Sequence, residues 1–196
     1  MSKLVSIFPG NGSEGIPTHQ SVLVVFDAVQ GVPVAVMNGE PITTVRTAAG
    51  SALATKLLAR PESSILTILG TGVQARAHVR GMLQVCRIEE VRMAGRDPLT
   101  TAIAANALSE ELDMTIKAFD TYAEACNDAD IICATTNSTD PVVRWHNLKS
   151  GVHVNSIGFN PRGREIDDNT IAHALVFVES RKAAVAPYPA GSNDLI

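Results

Sequence analysis

A strand that stops at a glycine pair and restarts as a helix constrains this chain more than any other feature. Residues 65–69, Ile-Leu-Thr-Ile-Leu, form a β-rich apolar run. Gly70-Thr71-Gly72-Val73-Gln74-Ala75 follows, and residues 73–85 carry helical periodicity. Strand, G-x-G-x-x-A, helix is the fingerprint of a dinucleotide-binding βα turn. Gly70 permits the tight turn, Gly72 lets a pyrophosphate approach the backbone, and Ala75 allows close packing of helix on strand. The helix N-terminus then presents unpaired N–H groups and the positive end of its dipole to phosphates. Glycine-containing turns are often structural only, so the flanking elements decide the reading.

Those elements continue as strictly as the fingerprint requires. Further strands are expected at 91–94, 115–119, 131–135, 152–157 and 175–178, with helices at 98–112, 122–127 and 168–174. Nearly continuous apolar strands imply a sheet buried on both faces. The expected fold is therefore α/β, a Rossmann-type doubly wound parallel sheet. Residues 1–60 have a different texture. Runs at 4–8, 21–28 and 32–37, with Gln30-Gly31 between the last two, read as strands and a hairpin. Pro41 then opens a helix over 42–59. Arg60-Pro61-Glu62-Ser63 marks a boundary. The expected division is 1–60 as part of a smaller α+β substrate and dimerisation domain, 61–182 as the Rossmann domain, and 183–196 as the start of a return to the smaller one.

Composition narrows the partners. With a net charge of −4, 4% aromatics and a pI near 5.7, the chain has neither the basic field nor the stacking platforms that nucleic acids require. No apolar run approaches the length of a bilayer span. The 3 cysteines, Cys86, Cys126 and Cys133, contain no C-x-x-C pair, so neither a disulfide framework nor a metal site is expected; free thiols point to the cytoplasm.

Two local readings concern ligands. After the second Rossmann strand comes Gly95-Arg96-Asp97, where an NAD site would place an acid for the ribose hydroxyl. A small residue followed by an arginine suits a 2′-phosphate, and Asp97 lies one or two positions late. NADP(H) is thus expected over NAD(H), the alternative. In the helix at 42–59, Ile42, Val45, Ala49, Ala52 and Leu53 form one apolar stripe. Arg46 falls on the same side, which is costly for a guanidinium unless an anion meets it. It reads either as a structural ion-pair residue or as the grip for a ligand carboxylate.

The run Ile42-Thr43-Thr44-Val45-Arg46-Thr47-Ala48-Ala49-Gly50-Ser51-Ala52-Leu53-Ala54, with Leu58-Ala59-Arg60-Pro61 and Leu69 to Ala75, resembles the ornithine cyclodeaminase/mu-crystallin family. Pro17-Thr18-His19-Gln20, Asn155-Ser156-Ile157-Gly158 and Arg164-Glu165-Ile166-Asp167 extend the resemblance over nearly the whole chain. The family includes ornithine and lysine cyclodeaminases, alanine dehydrogenases, reductases of cyclic imino acids and ketimine reductases, and its members are homodimers. The resemblance implies that Arg46 holds the substrate carboxylate and that Lys3 is the substrate-site lysine. It places Thr18 and His19 near nicotinamide and substrate, with His19 also touching substrate. Thr47, Gly70, Thr71, Gly72, Val73, Gln74, Gly95, Arg96, Asp97, Thr135, Thr136, Ile157 and Gly158 are the implied cofactor contacts.

Two departures from the family refine this. Cyclodeaminases carry a catalytic aspartate shortly after the glycine matching Gly158, an acid that moves protons during ring closure. Here Asn160 occupies that position and cannot ionise. That favours direct hydride transfer, with Lys3, Arg46 and Asn160 as the catalytic set. The expectation is an NAD(P)-dependent oxidoreductase on the C–N bond of a small amino or imino acid: a cyclic ketimine reductase or amino-acid dehydrogenase. Ornithine cyclodeamination and a non-catalytic NADPH-binding role are the rivals. The chain is also shorter than the family, as if truncated at both ends.

Overall fold

The computed structural model describes residues 1–158, 160, 162–187, 191, 192, 194 and 195. The chain divides into two compact units, Met1–Thr47 and Ala48–Ile196.

The first unit is an antiparallel meander of β1 (Ser2–Ile7), β2 (His19–Phe26) and β3 (Pro33–Asn38). Register runs from Lys3 opposite Leu23 to Ile7 opposite His19 in the first pair, and from Val22 opposite Asn38 in the second. The β2–β3 turn is built by Asp27, whose carboxylate accepts hydrogen bonds from the backbone N–H groups of Val29 and Gln30 at 2.9 and 2.7 Å. Gly31, at φ 72°, closes it in the left-handed region that glycine adopts without strain. Helix α1 (Gly39–Leu58) follows. Its start lies tightly on β2, because a side chain at Gly39 would meet Ser21 Oγ at 2.3 Å and Leu23 Cδ1 at 2.5 Å. Leu23 is accordingly buried.

The second unit holds a parallel sheet in the order β6 (Ile116–Phe119), β5 (Glu90–Ala94), β4 (Ile65–Leu69), β7 (Ile131–Ala134), β8 (His153–Ser156). This is the doubly wound α/β arrangement that the alternation of elements implies. Helices α2 (Val73–Leu83) and α3 (Pro98–Leu112) cover one face, packing Val79, Met82 and Leu108 on Leu66, Ile68, Met93 and Ile131. The other face packs Leu69, Ala94 and Ile132 against Ala125 and Cys126 of α4 (Tyr122–Cys126) and against Val143 and Ile166. Strands buried on both sides explain why the apolar runs show no alternation. Helices α5 (Asp168–His173) and α6 (Arg181–Ala184) complete the unit.

Two expectations are corrected. Of the stripe on α1 only Ala52 is buried: Ile42, Val45 and Leu53 are 38, 66 and 58% exposed, and Ala49 and Arg46 are exposed with them. The buried side is Ala48, Ser51, Ala52 and Thr55. Close docking selected small and hydroxyl side chains there, while apolar periodicity marks a stripe without saying what covers it. Ser51 Oγ lies 2.9 Å from Nε2 of the fully buried His78, whose Nδ1 faces the Gln74 carbonyl at 2.8 Å. Nδ1 must therefore carry the proton and Nε2 must accept from Ser51. Burial lowers the His78 pKa, in keeping with this neutral form. Asn155 Nδ2 likewise donates to Thr55 Oγ1 at 2.9 Å.

The second correction is the strand at 175–178. That segment pairs with no described strand, and Leu175 and Phe177 are 88 and 64% exposed. β-propensity reports fitness for a pleated surface, not the presence of an edge to pair with.

Ser51→Ala should lower unfolding free energy by about 1–3 kcal/mol, because it strands a buried acceptor on His78. Urea unfolding checks this, and an unchanged midpoint would show the contact to be idle.

Candidate dinucleotide and carboxylate sites

In an open doubly wound sheet, ligands bind beyond the carboxyl ends of the strands, where the strand order reverses. Here the reversal lies between β4 and β7. The chain leaves β4 at Gly70, whose φ of 117° is one that L side chains rarely adopt. A Cβ there would lie 2.7 Å from Thr135 Oγ1 and 3.0 Å from the Thr135 carbonyl. Thr135 is in turn fixed to β4, since its N–H and hydroxyl both donate to the Leu69 carbonyl at 2.9 Å. Gly72 is different. It caps α2 without a side-chain hydrogen bond, and a Cβ on it would meet nothing within 4 Å. Gly70 is thus demanded by the fold, whereas the space over Gly72 is open for a ligand.

Around this turn stand the other predicted contacts. Ala75 is fully buried, as its packing role requires, and Val73 is exposed at the helix start. Gln74 Oε1 is buried and has no hydrogen-bond partner among the described residues. Thr71 lies against Gly95, where a Cβ would meet Thr71 Cγ2 at 2.9 Å and Thr101 Oγ1 at 2.6 Å. Arg96 is exposed just beyond β5. Asp97 is the N-cap of α3: its carboxylate accepts from Thr100 N at 2.8 Å and also takes the Thr100 hydroxyl. Those bonds hold the Asp97 carboxyl below the usual carboxylate range.

Thr136 and Gly158 lie just past the ends of β7 and β8, and Ile157 continues the ladder through its N–H to the Ala134 carbonyl at 3.1 Å. Asn160 accepts from Arg162 N within its own loop and donates to the Asn137 carbonyl in the loop after β7, both at 2.9 Å. The residue that sequence reasoning missed is Glu165. It is 3% exposed. Its Oε1 accepts from Thr136 N and Thr136 Oγ1, each at 2.6 Å, and its Oε2 accepts from Gly158 N at 2.7 Å. Burial raises the Glu165 pKa, opposed chiefly by the Thr136 bonds. Ser156 Oγ lies 3.0 Å from Glu165 Oε2 and 2.6 Å from Asp194 Oδ2. One hydroxyl proton serves one of them, and the shorter contact takes it.

The first unit gathers a cationic pair. Lys3 Nζ donates to Thr43 Oγ1, and Thr43 stands one turn before Arg46 on α1. Arg46 lines an open depression of about 380 Å³ with Pro41, Ile42 and Val45. Thr47 Oγ1 is held on the Thr43 carbonyl at 2.7 Å. Thr18 and His19 touch each other at 3.2 Å. His19 pairs with Ile7, so it sits about 13 Å along the sheet from the pairing position of Lys3. The structure thus unites Lys3 with the Arg46 turn and leaves His19 at the far end of β1. Among the described residues no cluster of three metal-ligating side chains exists.

The ornithine cyclodeaminase/mu-crystallin family model matches residues 1–187. The chain belongs to this family. Among its relatives is the ketimine reductase mu-crystallin of Mus musculus, 37% identical over 185 residues, covering 94% of this chain and 58% of the relative. A Δ1-pyrroline-2-carboxylate reductase of Bacillus cereus is 36% identical, covering 93% and 57%. The Δ1-pyrroline-2-carboxylate reductase of Thermococcus litoralis, solved with NADH and L-proline, superposes with a TM-score of 0.82 at 35% identity, over 86% of this chain and 53% of that one. An archaeal alanine dehydrogenase dimer with bound NAD gives a TM-score of 0.81 at 29% identity, over 88% and 53%. The chain spans somewhat more than half the length of these family members. No described helix is long and apolar enough to cross a membrane.

Gly70→Ala should lower the melting temperature by several degrees, since it combines a disfavoured φ with a 2.7 Å contact to Thr135. Gly72→Ala should melt with the wild type. Equal melting of Gly70→Ala would refute the strain.

Proposed function

We propose that this chain carries the dinucleotide site and part of the substrate site of an NAD(P)-dependent imine reductase. The reaction is hydride transfer between a nicotinamide and the α-carbon of a small cyclic imino or amino acid. The observation that carries it is the pair of features at the β4–α2 turn: open space over Gly72 and a buried Gln74 Oε1 with no partner among the described residues, beside bare helix N–H groups. These residues fit a pyrophosphate and its flanking ribose. A bound reduced nicotinamide supplies the hydride, and the protein supplies binding and orientation.

The roles divide by chemistry. Gly70, Thr71, Gly72, Val73 and Gln74 form the phosphate turn. Gly95 and Arg96 follow β5, and Arg96, rather than an acid, suits a 2′-phosphate; NADP(H) is the preferred cofactor in this reading. Asp97 keeps its capping role, which argues against a ribose contact. Thr135, Thr136, Ile157 and Gly158 border the nicotinamide half. Arg46 offers the planar fork that pairs with a carboxylate, and Lys3 adds charge one turn away. Thr18, His19 and Thr47 complete the assignment at lesser weight. Asn160 presents an amide, locked by Asn137 and Arg162, where ring closure with ammonia loss would need an acid. That favours reduction over cyclodeamination.

The division of labour at 1–60, 61–182 and 183–196 belongs to the same reading, as do the cytoplasm as location and a homodimer as assembly. The exposed Leu4, Val34 and Val36 of the three-stranded sheet support a partner subunit of the same kind.

The deciding assay follows NADPH and NADH oxidation by the purified protein against cyclic imino acids and pyruvate plus ammonia. Imine-dependent oxidation is expected. Ammonia release from ornithine without net cofactor change would replace this reading with cyclodeamination. Binding of NADPH without turnover of any of these substrates would make it a binding protein.

Two substitutions test the roles. Arg46→Ala should lower kcat/KM by about a hundredfold, the loss of a charge-assisted pair of about 3 kcal/mol, while NADPH affinity holds. Arg96→Ala should weaken NADPH at least tenfold and leave NADH within twofold; titration of nucleotide fluorescence reads both. Parallel loss of both nucleotides would remove Arg96 from the 2′-phosphate site.

A further inference from the structure

We propose that Glu165 is a positioning residue for the nicotinamide half of the site, one that acts by fixing the backbone of Thr136 and Gly158. This rests on the dinucleotide reading above and goes beyond it, because it gives a role to a side chain that has no assigned contact with cofactor or substrate.

The geometry begins where the sheet ends. β7 and β8 pair from Ile131 with His153 to Ala134 with Ser156. One more rung, from Ile157 N to the Ala134 carbonyl, closes the ladder. Beyond it the strands part: Thr136 N–H has no further rung to join, and Gly158 N–H, next to the Ile157 N–H that faces β7, points off the edge strand β8. Unpaired buried N–H groups are costly. Glu165 takes both, one on each carboxyl oxygen, at 2.6 and 2.7 Å. A single side chain therefore takes both groups and clamps the two loops right at the end of the ladder, further in than the Asn160 amide that also joins them through the Asn137 carbonyl.

Three further contacts show a built arrangement. The Thr136 hydroxyl adds a second bond to Oε1. At Gly158 a Cβ would fall 2.3 Å from Glu165 Cδ and 2.3 Å from the Thr136 carbonyl, so glycine alone permits the approach. Glu165 is itself anchored, because Asp194 Oδ1 accepts from Glu165 N at 3.0 Å and from Ile166 N at 3.2 Å. Asp194 Oδ2 takes the Ser156 hydroxyl at the end of β8.

Location supplies the function. A doubly wound sheet binds a dinucleotide across two mononucleotide halves. The fingerprint turn and Arg96 belong to the β4–β5–β6 half. Thr136 and Gly158 belong to the β7–β8 half, which holds the second nucleotide, the nicotinamide end. A residue that sets only these two loops should govern nicotinamide placement and leave the adenosine end alone.

Glu165→Gln tests this with little change of shape. Oε1 survives as an acceptor for Thr136, but an amide NH2 now faces Gly158 N–H, donor against donor. Two ligands are titrated by calorimetry: NADPH, and 2′-phospho-ADP-ribose, which lacks nicotinamide. The wild type should bind both. Glu165→Gln should bind NADPH about tenfold more weakly, the loss of one buried hydrogen bond, and the fragment within twofold of wild type. Equal weakening of both ligands, or of neither, overturns the proposal. A wild type that binds neither overturns the dinucleotide reading itself. If Glu165→Gln does not fold, Ser156→Ala serves. It frees Asp194 and one edge of the carboxyl while keeping the Gly158 bond, and should cost NADPH about threefold with the fragment unchanged. Equal loss of both ligands in that variant refutes the positioning role.

Discussion

The chain turns on the close approach of β4 and β7 at the point where the strand order reverses. There Gly70 and Thr135 stand so near that no side chain fits between them, and Thr135 is bound through both N–H and hydroxyl to the last carbonyl of β4. From that contact follow the direction in which α2 leaves the sheet, the presentation of its N-terminal N–H groups, and the crevice above Gly72. The two faces of the core serve to hold the central strand still, since Leu66 and Ile68 face one cluster and Leu69 the other. A loosened core would blur the turn before it unfolded the protein, because the helix start has no side-chain cap of its own.

What the sequence made legible was local. The fingerprint, the α3 N-cap at Asp97 with Pro98 behind it, and the alternation of buried strands all arise from backbone rules acting within a few residues. The missed features are tertiary. Periodicity on α1 marked Ile42, Val45, Ala49, Ala52 and Leu53, yet of these only Ala52 is buried, on a face it shares with Ala48, Ser51 and Thr55. That face docks through hydroxyls on His78 and Asn155, partners 27 and 100 residues away that no local pattern announces. Residues 175–178 have the composition of a strand and no edge to join. Arg46 was noticed because a guanidinium beside apolar residues is conspicuous. The structure keeps the conspicuous neighbours, Pro41, Ile42 and Val45, but exposes the group.

Glu165 shows the same limit from the other side. In the sequence it sits between Arg164 and Ile166 in a charged stretch, and Arg164 in fact pairs outward with Asp168. Nothing local separates that solvated ion pair from the carboxyl next to it, which is buried and carries three hydrogen bonds from Thr136 and Gly158. Only the divergence of β7 from β8 creates the demand for an acceptor at that place, and divergence is a property of the sheet. Gly158 carries the same constraint on the backbone side: its φ is not positive, and the Cβ it lacks would collide with Glu165 and the Thr136 carbonyl.

The two anionic groups of the proposed reaction, a pyrophosphate and a carboxylate, are met by different physics, and this difference explains the placement of charge. The phosphate turn contains no cation between Gly70 and Ala75; backbone N–H groups and the helix dipole do the binding, and they cannot be neutralised by a change of pH. The proposed carboxylate grip is the side-chain fork of Arg46 on α1, one turn from the Thr43 that Lys3 bonds, with both cations in contact with solvent. Such a pair attracts small anions as well as substrate and is weakened by salt. In that proposal selectivity falls to the apolar wall that Pro41, Ile42 and Val45 set beside Arg46. An amphipathic ring with one carboxylate satisfies both surfaces; an inorganic anion satisfies only the cations, and a hydrocarbon only the wall.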